Sequence, residues 1–156
     1  MNSINILLLN FKETRRRSIN VWKGIPSEYL HWKPDAKAMS CIEMIRHVLE
    51  GEHLFHTIIK NRGNLGDYTS PWKDLAFIDV DHEVQFAESY KTELYTMIEQ
   101  LSVNDLKDIV IHREEVNQVK ELGDYLNRMV YHEAVHTGQL LSYLRTLHIK
   151  RPQVWD

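Results

Sequence analysis

Along four stretches of the chain apolar residues recur at intervals of three and four, the spacing of an amphipathic helix. The first, residues 3–23, carries Ile4, Leu7, Leu8, Phe11, Ile19 and Trp22, with Arg15, Arg16 and Arg17 expected on or near the solvent side. The second, 39–60, has Ser40 as a plausible cap and Glu43 three residues on, the capping-box spacing. The third, 81–101, aligns Val84, Ala87, Tyr90, Leu94, Met97, Ile98 and Leu101, with Asp79 or Asp81 available to cap it. The fourth, 121–147, aligns Leu122, Leu126, Met129, Leu140 and Leu144. Gly24 with Pro26, Pro34, the group Gly63, Gly66 and Pro71, and finally Pro152 mark the breaks. Residues 108–119, with Ile109, Val110, Ile111, Val116 and Val119, read equally as a short strand pair or an irregular crossover. Together these features predict an all-α fold, a four-helix bundle forming one domain over residues 1–156. The link of about 20 residues after Lys60 argues for a crossover connection instead of short hairpins throughout.

Composition narrows the function classes. With 22 acidic and 19 basic side chains the formal net charge is −3, which supplies no electrostatic footprint for nucleic acid or an anionic membrane. One cysteine, Cys41, excludes an internal disulfide and points to a reducing, cytoplasmic setting. The apolar run near the start, residues 6–9, is far too short for a signal peptide or a membrane span. The unusual number is nine histidines.

His132 and His136 stand one turn apart on the fourth helix, about 6 Å along the axis, a workable spacing for two imidazoles on one ion. Glu133 between them points along the apolar direction and, as a buried carboxylate, calls for a partner. On the second helix Met44, His47, Gly51, Leu54 and Ile58 share a face, so His47 is expected inward, with room left beside it by Gly51. His53 and His56 are expected to face solvent, as are His31, His82, His112 and His148 near connections and helix ends. Three neutral imidazoles would leave a divalent ion an open coordination position, the arrangement of catalytic sites. The ligand set suits zinc or nickel first, then iron, copper or manganese. The bland alternative is that the histidines edge the core, satisfied by carbonyls or water.

Two other patterns compete for the same residues. His132-Glu133-Ala134-Val135-His136 is a literal H-E-x-x-H. Its extended form needs glycine and histidine at fixed places downstream, where this chain has Gly138 one place early and Ser142 in place of the histidine. A protease is therefore not expected, although Glu133 is the candidate catalytic group that would orient or deprotonate a metal-bound water or thiol. A di-metal carboxylate bundle would use Glu50 with His53 and Glu133 with His136, helped by Glu13 and one of Glu83, Glu88 or Glu93. The helix phase of Glu50 and His53 counts against it.

Several segments together resemble the DinB-like family of four-helix bundles. They are Arg15-Arg16-Arg17, Tyr29-Leu30, Trp32-Lys33-Pro34, Ser40-Cys41-Ile42 leading to His47, Glu121-Leu122-Gly123, His132-x3-His136-x-Gly138-Gln139-Leu140, and Arg151-Pro152-x-x-Trp155. The resemblance implies a single metal held by His47, His132 and His136, and a homodimer. It further implies an enzyme resembling thiol transferases that pair a low-molecular-weight thiol with a small electrophile, with metal-dependent hydrolysis as the alternative. A metal-binding or regulatory bundle without turnover is the non-enzymatic reading. Tyr125, Met129, Gln139 and Tyr143 lie on or near the metal side of the last helix, as pocket lining or as simple packing.

Overall fold

The computed structural model describes residues 2–155. Four long helices make up most of the chain: α1 (Ser3–Lys23), α2 (Cys41–Lys60), α3 (Val80–Glu99) and, at the end, α5 (Leu122–Thr146). The one-turn helix α4 (Asp105–Asp108) and the strands β1 (Val110–Arg113) and β2 (Gln118–Glu121) precede α5. The helices start where local chemistry satisfies their free N–H groups. Ser40 and Glu43 form the reciprocal capping box on α2, and Asp79, the first of the two candidates, accepts from His82 N–H at 2.8 Å on α3. Leu122 has no side-chain cap before it; its N–H donates to the Ile109 carbonyl at 2.9 Å. The 108–119 region resolves as a hairpin, β1 antiparallel to β2 with Val110 opposite Glu121 and Arg113 opposite Gln118.

The long helices form a ring in which α1 packs on α3 and α5, and α2 packs on the same two. Cross-helix contacts set the directions. Arg15–Glu133 and Ser18–Thr137 run α1 parallel to α5, while Lys12–Glu99 and Lys23–Asp81 run α3 antiparallel to α1. Arg46–Glu83 and His53–Tyr90 make α2 and α3 parallel neighbours. Parallel neighbours cannot be joined by a tight turn, so the segment after Lys60 travels back along the bundle; this is the crossover. It is fastened on the way. The Arg46 guanidinium pairs with Glu83 and donates to the carbonyls of Leu75 (2.6 Å) and Ala76 (3.0 Å). Where the same segment meets the hairpin, a Cβ on Gly63 would lie 1.9 Å from the His112 carbonyl oxygen, so only glycine fits.

Two apolar clusters fill the bundle. One gathers Trp22, Met44, Ile45, Trp72 and Leu144, the other Leu8, Phe11, Ile58, Leu94, Ile98 and Leu126. Between them lies a charged layer. Arg15, expected at the surface, is 5% exposed, because it follows Ile4, Leu8 and Phe11 in the same 4-3-4 spacing that continues through Ser18 and Trp22. Its Nε donates to Glu133 Oε1 at 2.8 Å, one terminal nitrogen to Glu133 Oε2 at 3.0 Å, and the same nitrogen to Glu52 Oε2 at 3.0 Å. Burial works against the Arg15 charge, but Glu52 and Glu133 outweigh it and raise its pKa further. Burial pushes the Glu52 carboxyl up, against the pull of Arg15. Arg15→Met removes the one cation from this layer and leaves two buried carboxylates facing each other. It should cost about 3–5 kcal/mol, read from urea unfolding; a loss under about 1 kcal/mol would show that the ion pairs do not hold the waist together.

Candidate metal centre

α2 and α5 run antiparallel, as Phe55 against Tyr125 at one end and His47 against His136 further along show. This pairing brings His47, His132 and His136 together. His132 Nε2 lies 3.0 Å from His47 Nε2 and 3.1 Å from His136 Nε2, and one ligand atom from each residue falls within 4.8 Å of the others. The rings meet edge to face, with centroids 4.5 to 4.9 Å apart. His47 is exposed and the other two are half-buried, so the cluster sits on the rim of the bundle. That corrects the inward position expected for His47. The buried stripe of α2 runs Ile45, Leu49, Glu52, His56 and Ile59, one residue round from the face read in the sequence.

The same shift reverses the reading of His56, which is buried at 4% exposure instead of facing solvent. His53 is half-buried too, its Nδ1 3.0 Å from the Tyr68 hydroxyl and its ring 4.6 Å from that of Tyr90. His31, His112 and His148 are exposed, while His82 is half-buried. The space left by Gly51 serves His132, whose Cε1 would lie 3.2 Å from an added Cβ.

Burial, reinforced by the other two imidazoles, pushes His132 down to about 4; burial also lowers His47, with Glu50 opposing. Both rings are therefore neutral at pH 7 and carry a free lone pair. His136 Nδ1 lies 2.6 Å from Gln139 Oε1, which can only accept, so Nδ1 is the donor of that pair, and Nε2 is the nitrogen turned toward His132. Tetrahedral binding at about 2.0–2.1 Å per nitrogen sets neighbouring ligand atoms about 3.3 Å apart, close to the two spacings that His132 Nε2 makes, while the set as a whole spans up to 4.8 Å. The donor set thus fits one divalent ion, held at a rim that solvent reaches. Among the described residues no second His, Cys, Asp or Glu group gathers in this way. The di-metal pattern finds its members elsewhere, with Glu13 paired to Arg16 on α1 and Glu83 to Arg46.

Glu133 is buried as expected, and the partner it called for is Arg15, which takes both its oxygens. A void of about 10 Å³ lined by Val48, Glu52, Phe55, Met129, His132 and Glu133 lies between this layer and the histidines. Tyr125 and Met129 belong to the core, and the Tyr143 hydroxyl donates to the Met39 carbonyl at 3.1 Å. Gln139 is the residue of this group that touches the site. Arg15 and Glu52 were missed as neighbours of the site; their position in the 4-3-4 stripes of α1 and α2 was the available signal.

Comparison with known proteins gives a consistent family. The DinB superfamily model matches residues 10–140. The uncharacterized protein YjoA of Bacillus subtilis (strain 168) is 27% identical over 150 residues, 95% of this chain and 94% of that protein. The crystal structure of a DinB-like protein, YjoA from Bacillus subtilis, aligns with a TM-score of 0.72 at 22% identity over 94% of each chain.

In the metal-free protein His56 and His132 are both held near 4, with burial the first cause. The unfolded chain takes up these protons near 6.5, so it binds more protons than the native state between about 6.5 and 4. Stability is therefore full above about pH 6.5 and falls as pH drops toward 4, by roughly 1 kcal/mol per pH unit for each ring. Urea unfolding at pH 7, 6 and 5 checks this, and a flat profile over that range would contradict the burial of both rings.

Proposed function

Because this chain belongs to the DinB superfamily and gathers three imidazoles around one point, we propose that it is a divalent-metal-dependent enzyme that joins a low-molecular-weight thiol to a small electrophile. The observation that carries the reading is the convergence of the His47, His132 and His136 nitrogens at an open rim. A divalent transition metal there, zinc or nickel before iron, copper or manganese, supplies a Lewis acid that lowers the pKa of a thiol or water beside it. His47, His132 and His136 would hold the ion, and Gln139 orients the His136 ring through Nδ1. The thiol proton passes to solvent water, since both Glu133 oxygens are engaged by Arg15. The sulfur lone pair forms the new bond to the electrophilic carbon, whose leaving group departs with its electron pair. Glu133 then acts as a positioning residue, anchoring α5 beneath His132.

The same rim would serve hydrolysis if water took the thiol's place, and a panel of thiols and esters separates the two. A cytoplasmic setting is supported by the lone Cys41, buried so that its thiol is pushed up to about 11. No described helix is long and apolar enough to cross a membrane. For the homodimer, the outer faces of α1 and α5 supply apolar surface in Ile6 (56% exposed), Leu9 (50%) and Tyr131 (72%).

Elemental analysis of protein purified without a nickel column should find about one ion per chain, absent from His47→Ala, His132→Ala and His136→Ala. No ion after addition of zinc, nickel or manganese would overturn the reading, and metal without turnover on any thiol or ester would leave a binding module. Glu133→Gln should keep the ion and change turnover less than about tenfold; a loss of about 10²–10⁴ with metal retained would make Glu133 the base. Light scattering should give twice the chain mass for the wild type and a monomer for Ile6→Glu with Leu9→Glu. A monomeric wild type would remove the dimer.

A further inference from the structure

Among the described residues, Arg128 on the histidine-bearing face of α5 has no carboxylate partner. Arg128 stands one turn before His132, about 6 Å along the axis, on the stripe that continues through His136. It is half-buried and makes no ion pair among the described residues, whereas the buried Arg15 and Arg46 are both matched by carboxylates. One terminal nitrogen donates to Gln118 Oε1 at 2.9 Å, an oxygen that also accepts from the Tyr125 hydroxyl at 3.2 Å. The guanidinium carbon lies 5.9 Å from the Phe55 ring centroid and 5.3 Å from that of Tyr125. The hairpin and two rings thus hold this side chain in place while most of its five N–H donors have no acceptor among the described residues.

Phe55 also lies against the metal centre, its ring 6.1 Å from that of His132. From the three histidines toward Arg128 the surface therefore presents a metal-ligating point, an apolar floor and a fixed planar cation. That order matches a short thiol whose carbon chain ends in a carboxylate. Sulfur would sit beside the ion, with methylenes over Phe55 and the carboxylate against the guanidinium fork. We propose that Arg128 is the residue that selects a carboxylate-bearing thiol as co-substrate, an inference that rests on the metal-and-thiol reading of the site. No covalent step is involved; Arg128 binds and orients.

The test uses cobalt(II)-loaded full-length protein, with the thiolate-to-cobalt charge-transfer absorption reporting thiol binding. 3-Mercaptopropionate should bind about tenfold or more tightly than its uncharged amide, the size expected of a charge-assisted pair. Arg128→Gln should abolish that preference while leaving cobalt stoichiometry and amide affinity unchanged. Arg128→Lys, which keeps the charge but loses the fork, should retain part of it and serves if the glutamine variant does not fold. Equal affinities in the wild type, or a preference that survives Arg128→Gln, would overturn the inference alone. Failure of the wild type to take up cobalt would overturn the metal reading and this inference with it.

Discussion

A guanidinium and two carboxylates buried midway along the bundle have to satisfy one another, and much of the rest follows from that constraint. Arg15 comes from α1, Glu52 from α2 and Glu133 from α5, so their pairing ties three helices at one height. An apolar layer tolerates sliding by a turn, since one methyl contact substitutes for another. A charged layer does not, because each misplaced partner leaves an unpaired ion away from water. The ionic waist sets apolar clusters above and below it in register, and with them the relative height of α2 and α5.

That register decides where the histidines meet. Glu133 adjoins His132 in the chain, and Glu52 stands one turn beyond Val48, the residue after His47. Fixing the two carboxylates on Arg15 therefore brings His47 level with His132 and His136 on the neighbouring surface. Gly51 lets α2 approach without striking the His132 ring, and Gln139 orients His136 from within its own helix. The buried ions thus organise the site from behind while the imidazoles stay at the rim, where a small ligand reaches them without any opening of the core.

The extra elements have comparable roles. The crossover after α2 is long because α2 and α3 are parallel, and Arg46 and Gly63 hold it at two points. The hairpin before α5 covers the end of the bundle and contributes Gln118, which holds Arg128 and Tyr125 beside the stripe that carries His132 and His136. Neither segment contributes to the histidine cluster, yet the second shapes what surrounds it.

Four helices, the caps of α2 and α3, the crossover and the pairing of His132 with His136 were legible in the sequence, because hydrophobic period, capping chemistry and the His-x3-His interval are local properties. The phase of α2 was not. Its Glu52 and His56 occupy core positions, and polar residues in a buried stripe look like solvent-facing ones until their partners are known. Arg15 misled in the same way, as the first of three arginines whose neighbours really are nearer the surface. The carboxylates that pair with Arg15 lie 37 and 118 residues away in the chain. The sequence by itself determined which helices form and which side chains could hold a metal. Only the tertiary structure decided which charges are buried, which face of α2 turns inward and that the site lies on the rim, because those outcomes depend on pairing free energies between residues that no local pattern brings together.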